Sequence, residues 1–569
     1  MRDQETRLQE NVEGVVPTGR WEIVGFCFVT FVFAATHLQG IGEVYLAGHQ
    51  GFNGALRSII GRNYVRYGFW NLRFRPIKNV GMMDATTSPL VHWHHPPLVH
   101  MLVGVSFYVF GESETSARLV PVAFGFLSVL LLWRIVRRRW GPVGGLIAAA
   151  AFCLFPLEIE YGAMPNYEAL VIALMLGALW SVLKIRETRT LSAKVFLFVF
   201  TAFAGFTDWP AFIFAAFVGI GLVLKKPRHV GLFVAYGVFC VFLLVGLWQW
   251  LDRFSDASGL SGLAKWRAGH TVPIVMHLWW KRLVLRLFDY VGSPFLLLAF
   301  IGGMAHVIQR QFPVVTGVFG AGGMLYLLVF KHGSWVHVFF LSYLLPAFAE
   351  LVAAGVVKAA RFVACMEVWF ATRMRTFTSQ YRLADALCRF SLRRPVLLAG
   401  LLILLGSIGM LLSHARLLAK VYRVSRELPA SWRGHHPPVP YAGRLDVVIL
   451  ARTACDMSDF HDVIAVHART ISSPQFRYYL DRKTRVVYHS SQLRNERLYI
   501  VPERVLSKTE KEQFRARYRV VSLLRYWIVD LHSTAPSFEN HLFSSFSPSV
   551  FWRVFVSKLY PPYQLRRSK

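Results

Sequence analysis

The 569-residue sequence is 54% hydrophobic and 15% aromatic with only 17% charged residues, too little charge to coat a compact water-soluble surface, so the composition is that of a multi-span membrane protein. Its formal net charge of +31 does not mark a nucleic-acid binder, because Lys and Arg punctuate apolar runs instead of collecting on one polar face. The six cysteines, at 27, 153, 240, 365, 388 and 455, are scattered and encode neither a disulfide framework nor a zinc ribbon.

Residues 1–20 are polar and are expected on the cytoplasmic side. From Trp21 the chain is apolar to Gly40 without a small-residue cleavage site, which reads as a retained first span. A helical span needs about 20 apolar residues, and its cytoplasmic end collects Lys and Arg. On these rules spans are expected at 21–39, 117–135, 142–156, 167–183, 193–206, 210–224, 230–250, 287–306, 313–330, 337–357 and 395–413. About eleven spans place the C-terminus outside.

Charge supports that count. The loops assigned inside hold Arg134, Arg137, Arg138 and Arg139, then Lys184, Arg186 and Arg189, then Lys225, Lys226 and Arg228, whereas the outer loops 157–166 and 207–209 hold no Lys or Arg. The apolar run 97–110 would reverse the alternation if it crossed, so it is expected as a helix in or re-entering the outer interface. The basic inner loop 358–394 is expected to lie on the anionic leaflet. From 414 to 569 the composition becomes globular: 445–450, 463–466 and 498–501 read as strands and 508–517 as a polar helix, an outer α/β domain.

The polar residues that chemistry needs gather in the loops assigned outside. The first, 40–116, supplies Glu43, His49, Asn53, Arg57, Asp84 and four histidines, His92, His94, His95 and His100. Arg62 and Arg66 lie one helical turn apart, as a phosphate cradle would require or as a surface helix would place them to reach lipid headgroups. Pro96-Pro97 starts an apolar helix and leaves His94 and His95 at its mouth. A divalent metal is compatible with these histidines and not required by them.

Glu168 sits at a helix N-terminus on the membrane face, either a cap or a functional carboxylate. Asp208 precedes Trp209-Pro210 in the position of an N-cap. The loop 251–286 carries Lys265, Arg267, Lys281, Arg282 and Arg286 against the positive-inside trend, which points to an anionic headgroup or lipid phosphate. His337 stands at the outer end of a span, where an imidazole reaches a phosphate.

The order of motifs resembles a family. Gly51-Phe52-Asn53-Gly54-Ala55, Ile60-Gly61-Arg62-Asn63-Tyr64, Tyr67-Gly68, His95-Pro96-Pro97-Leu98, Phe110-Gly111-Glu112-Ser113-Glu114, Ala117-Arg118-Leu119, Tyr161-Gly162 with Met164-Pro165-Asn166 and Glu168, Asp208-Trp209-Pro210, and His337 followed by Tyr343-Leu344-Leu345-Pro346 are similar, over roughly 20–350, to GT-C glycosyltransferases of the dolichyl-phosphate-mannose protein mannosyltransferase group (family 39), which includes the aminoarabinose transferases. The resemblance implies an all-α polytopic GT-C-like domain over 21–413, followed by the α/β domain at 414–569. It implies transfer of a sugar from a polyprenyl-phosphate carrier to an unidentified acceptor, on the extracytoplasmic side of the cell inner or plasma membrane, by inverting displacement. Arg62, Arg66, His94, His95, Asp208, Lys265, Arg267 and His337 are then candidate substrate-binding residues, and His49, Asn53, Asp84 and Glu168 candidate catalytic ones.

One departure bears on mechanism. Where many relatives carry an Asp about nine residues before the Arg62 position, this chain has Asn53, and an amide cannot act as a general base. Either the base has moved, with His49, Asp84 and Glu43 as candidates in that order, or Asn53 and His49 act together. A transporter or flippase of lipid-linked sugar, and a non-catalytic binder, are the competing classes. Transporters usually show internal repeats and mid-membrane charges, whereas here no repeat is seen and ionisable residues gather at span ends.

Overall fold

A computed structural model describes residues 20–375 and 445–541, apart from 40, 46–48, 85, 225–226, 257–258, 271–273, 309–312, 469–472, 524–525, 534 and 536. The expected span 395–413, the distal part of the basic loop 358–394, the boundary at 414 and a second His-Pro pair at 435–438 lie outside the described residues. The chain forms two compact units, one of residues 1–78 and 89–442 and one of residues 79–88 and 443–569.

The first unit is helical. Among the described residues five helices are long and apolar enough to cross a membrane: Glu114–Leu154, Glu168–Thr188, Val230–Asp252, Met276–Ile308 and Val338–Phe362. Shorter apolar helices occupy Trp21–His37, Leu98–Phe110, Leu191–Thr207, Pro210–Val223 and Thr316–Val329. Every expected span inside the described residues thus coincides with a helical segment. The spans expected at 117–135 and 142–156 form one helical run broken at Gly141, whose φ of 72° only glycine adopts readily, with Pro142 next to it. Leu98–Phe110 has 13 residues, about 20 Å of helix against a hydrocarbon thickness of about 30 Å.

Backbones pack closely where side chains are absent. A Cβ on Gly302 would stand 2.0 Å from the Leu351 carbonyl oxygen, and one on Gly355 2.1 Å from that of Leu298. The helices Ser293–Ile308 and Leu345–Arg375 therefore touch through glycine, the small-residue contact that substitutes for hydrophobic driving force in lipid.

The second unit carries a six-stranded mixed sheet. We number its strands β1 Val463–His467, β2 Lys483–Val487, β3 Leu498–Pro502, β4 Arg519–Leu523, β5 Tyr526–Asp530 and β6 Ser537–His541. Their spatial order is β2-β1-β3-β5-β4-β6. Ala465, Tyr499, Val520, Trp527 and Val529 form the core on one face, closed by Phe514 of the helix Lys508–Arg517. The strands expected at 463–466 and 498–501 and the helix at 508–517 are present. The strand expected at 445–450 is instead the first half of the helix Leu445–Asp456. Its buried residues Val448, Ala451 and Ala454 recur every third position, a helical period that a six-residue apolar window is too short to show.

Candidate active site

The helix His49–Tyr67 brings one face of polar residues into the protein. Asn53 and Arg57, one turn apart, are both buried. A narrow hairpin neck follows: His92 N–H donates to the Pro76 carbonyl at 2.8 Å, Lys78 N–H to that of Leu90 at 2.8 Å, and Asn63 Nδ2 to that of Ile77 at 2.8 Å. The neck fixes where the histidine run starts. Pro96 and Pro97 then end it against the helix Leu98–Phe110.

His95 occupies the centre. Its Nδ1–H donates to Asp208 Oδ1 at 2.7 Å, and Arg267 Nη2 donates to its Nε2 at 2.8 Å. That pair of bonds describes a neutral imidazole with a defined tautomer. Burial, opposed by Asp208 and reinforced by Arg267, lowers the His95 pKa to about 4. His94 is lowered to about 3, first by burial and then by His95 and Arg267. Asp208 Oδ1 also accepts Trp209 N–H at 2.9 Å, and Oδ2 accepts Tyr343 O–H at 3.5 Å. The Asp208 carboxylate orients His95, but it is not the cap expected from sequence: the helix Pro210–Val223 has Trp209 at its N-cap and no side-chain cap, because Asp208 Oδ1 bonds the Trp209 N–H one residue too early.

A second cation stands beside this pair. Arg57 donates from Nη2 to Asn166 Oδ1 at 3.1 Å and from Nη1 to His92 Nε2 at 3.4 Å, and its guanidinium lies 4.5 Å over the Tyr167 ring. Tyr167 in turn stacks on His95 with ring centroids 4.2 Å apart. Glu168, buried at the N-terminus of Glu168–Thr188, is held by the Asn166 side chain and its own backbone N–H and feels the charges of Asp208 and Arg57. Neither Arg57 nor Arg267 has a carboxylate ion pair among the described residues.

His49 and His337 meet edge to face, ring centroids 5.2 Å apart, with Phe339 5.4 Å from His49. Burial, and then Arg286, lower the His49 pKa. Asn53 Nδ2 reaches the Met164 sulfur at 3.5 Å.

Several sequence candidates lie elsewhere. Arg62 is buried against Glu112, Nε to Oε1 at 2.7 Å, whereas Arg66 is exposed, so the two do not converge as a cradle. Lys265 is exposed on the helix that presents Arg267 inward. Asp84 belongs to the second unit, where its carboxylate accepts Thr86 Oγ1 at 2.6 Å and Thr87 Oγ1 at 2.8 Å and faces Lys483 Nζ at 3.5 Å. The two threonine hydroxyls hold its pKa well below the usual carboxylate range.

Arg57, Asn166, Tyr167 and Tyr343 complete the constellation; the sequence offered Arg57 as a loop residue and Asn166 and Tyr343 within motifs, but none of the four was assigned to the site. A signal existed for Arg57, which follows Asn53 by one helical turn, and for Asn166 and Tyr167, which abut Glu168. No group of three or more His, Cys, Asp or Glu among the described residues is placed to hold a metal ion. Both nitrogens of His95 are already bonded.

An apolar groove of about 580 Å³ adjoins this cluster. It is lined by Pro97, Leu98 and Met101, by Phe203 and Phe206, and by Phe242, Leu243, Gly246, Leu247 and Trp250, with Arg73 and Phe74 also on its wall. Pro97 is two residues after His95 and Phe206 two before Asp208, so the groove reaches the rim of the polar site.

Residues 94–250 match the family model described as dolichyl-phosphate-mannose-protein mannosyltransferase. The fold is similar to that of ArnT from Cupriavidus metallidurans bound to undecaprenyl phosphate, with a TM-score of 0.55 and 13% identity over 92% of this chain and 100% of that one. ArnT of the same organism in the apo state gives a TM-score of 0.54 and 13% identity, over 90% and 97% of the two chains. The Archaeoglobus fulgidus oligosaccharyltransferase tethered with an acceptor peptide aligns with a TM-score of 0.42 and 11% identity, over 82% and 63%. No curated protein sequence matches. The resemblance read from the motifs stands: the chain is family-39-like over 94–250 and has the GT-C fold with a small C-terminal sheet domain.

Proposed function

We propose that this GT-C-fold chain, family-39-like across its histidine and Asp208 segments, is a membrane glycosyltransferase that takes a sugar from a polyprenyl-phosphate carrier by inverting displacement, on the extracytoplasmic side. The observation that carries the reading is the pair Arg57 and Arg267. Both guanidiniums are bonded to neutral acceptors, an amide oxygen and imidazole nitrogens, with no carboxylate ion pair among the described residues. Arg57 is buried and Arg267 partly exposed; a guanidinium withdrawn from water without a carboxylate is stabilised by an incoming anion, and the forked donors of both match a phosphate. The groove beside them suits the carrier's hydrocarbon chain.

In this reading the donor phosphate lies against Arg57 and Arg267, and the acceptor hydroxyl oxygen attacks the anomeric carbon from the opposite face. As that bond forms, the bond from the anomeric carbon to the phosphate oxygen breaks, and its electron pair leaves on polyprenyl phosphate. The two guanidiniums stabilise this developing charge. Glu168 is the carboxylate that takes the acceptor's proton, since Asn53 cannot and the carboxylate of Asp84 is bound within the second unit. Asp208 acts through His95, fixing the imidazole that in turn positions Arg267.

Purified full-length protein given a polyprenyl-phosphate sugar and a membrane-lipid extract as acceptor source is expected to release polyprenyl phosphate. R57Q and R267Q are expected to abolish most of that release with folded protein unchanged. Wild-type release in both variants overturns the reading. Movement of intact donor across vesicles without release supports a flippase instead.

A further inference from the structure

Tyr167 is buried, 2% exposed, and stands immediately before the helix Glu168–Thr188. His95 stacks on its ring with centroids 4.2 Å and planes 18° apart, and the Arg57 guanidinium lies 4.5 Å over the same ring. The Tyr167 hydroxyl comes to 3.4 Å from His92 Nε2, the nitrogen that also accepts from Arg57 Nη1 at 3.4 Å. His95 Nε2 in turn accepts from Arg267 Nη2 at 2.8 Å. Arg57 and Arg267 belong to two separate helices, His49–Tyr67 and Gly259–Ala268, and the Tyr167 ring joins them: directly to Arg57, and through His95 to Arg267.

A carboxylate in the place of this ring would hold Arg57 and also neutralise it, leaving little to attract an anion. A ring face holds a guanidinium through its quadrupole and leaves the charge intact. It also leaves the in-plane donors to other partners. Nη1 and Nη2 of Arg57 are taken by His92 and Asn166, and Nε is buried with no hydrogen-bond partner among the described residues. A buried N–H in that condition is unfavourable until a ligand supplies an acceptor. For His95 the ring does a different job. Asp208 selects the tautomer, while stacking on Tyr167 fixes the plane of the imidazole and hence the direction of the lone pair that receives Arg267.

We propose that Tyr167 is a positioning residue that couples the two arginines, so that both guanidiniums meet the carrier phosphate as one clamp. The assignment rests on the glycosyl-transfer reading and deepens it. Asn166, Tyr167 and Glu168 are consecutive, so the segment that orients the cations at the leaving group also carries the carboxylate assigned to the acceptor.

The test measures farnesyl phosphate binding to full-length protein in neutral detergent by calorimetry. With Tyr167 present, R57Q and R267Q are each expected to weaken binding about tenfold or more, the scale of a hydrogen bond to a charged group. The double variant R57Q/R267Q is expected to fall short of the product of the two by about fivefold, because residues joined through shared contacts are not additive. Y167F keeps the ring and is expected to retain that coupling, with binding within about twofold of wild type. Y167M keeps the bulk without the ring and is expected to weaken binding about tenfold and to bring the two arginine effects within about twofold of additive. Additive arginine effects with Tyr167 present, coupling that survives Y167M, or Y167F behaving as Y167M each overturn the proposal and leave the donor reading standing. Binding indifferent to both R57Q and R267Q overturns the donor reading and the proposal with it. Where Y167M does not fold, the cycle in the Tyr167 protein and the Y167F variant decide, since neither empties the ring's place.

Discussion

His95 hands a hydrogen bond to Asp208 at 2.7 Å through Nδ1 and accepts one from Arg267 at 2.8 Å through Nε2, so a carboxylate on one element and a guanidinium on another are tied through a single imidazole tautomer. Asp208→Asn offers an NH2 group as readily as an oxygen, and removes the charge that selects Nδ1–H. The expected result is a rise in donor KM of about tenfold or more, the scale of one charge-assisted hydrogen bond, with expression and melting preserved. An unchanged KM with a lowered kcat would place Asp208 in the chemistry and not in positioning.

Substitution of the cations separates binding from catalysis. R57Q and R267Q each remove a guanidinium expected to meet donor phosphate, and each is expected to raise the donor KM by about 10- to 100-fold. Steady-state kinetics against donor concentration check this. R267K is expected to recover only part, because an ammonium lacks the planar fork that bonds an imidazole and a phosphate together.

The pH dependence of donor binding follows from the histidines. Burial holds His95 at about 4 and His94 at about 3, so both are neutral above pH 5 and gain charge only as pH falls through those values. A phosphodiester donor is then bound by arginine charge alone, and its Kd is expected to stay constant between pH 5.5 and 8.5, with any tightening confined to more acid conditions. A Kd that weakens tenfold as pH rises through about 6.5, the ordinary histidine value, would assign the binding charge to an imidazole.

Proton removal from the acceptor is assigned to Glu168. E168Q retains the shape and the hydrogen bond from Asn166 and is expected to lower kcat by about 10²- to 10⁴-fold, the range of general base catalysis, with donor KM little changed. His49→Ala is the paired experiment: a loss of that size in H49A with E168Q near wild type would move the base to His49.

The groove is open to a direct steric test. A Cβ on Gly246 meets nothing within 4 Å, although the residue lines the groove, so G246F fills apolar space without disturbing its helix. A raised KM for long-chain polyprenyl donors, with no change for a short-chain analogue, is the expected outcome of paired kinetics. Equal effects on both would remove the groove from the donor path.

Length, composition and the spacing of Lys and Arg were enough to determine that this is a polytopic membrane chain, because spanning a bilayer demands about 20 apolar residues whatever they pack against. Local pattern also sufficed for the helix Lys508–Arg517, whose Ser507 and Glu510 form a capping box. It failed at 445–450, where only packing of Val448, Ala451 and Ala454 against neighbours separates helix from strand. The partnerships of the candidate site lay beyond the sequence altogether. His95 and Asp208 are 113 residues apart and His95 and Arg267 172, and a single sequence carries no term that links such positions. Tertiary structure alone decided that Arg62 is paired with Glu112, that Asp84 is bound within the second unit, and that Arg57 joins His92 and Asn166. A buried charge is committed by whichever partner the fold brings within about 3 Å, and that choice is a property of the packed chain.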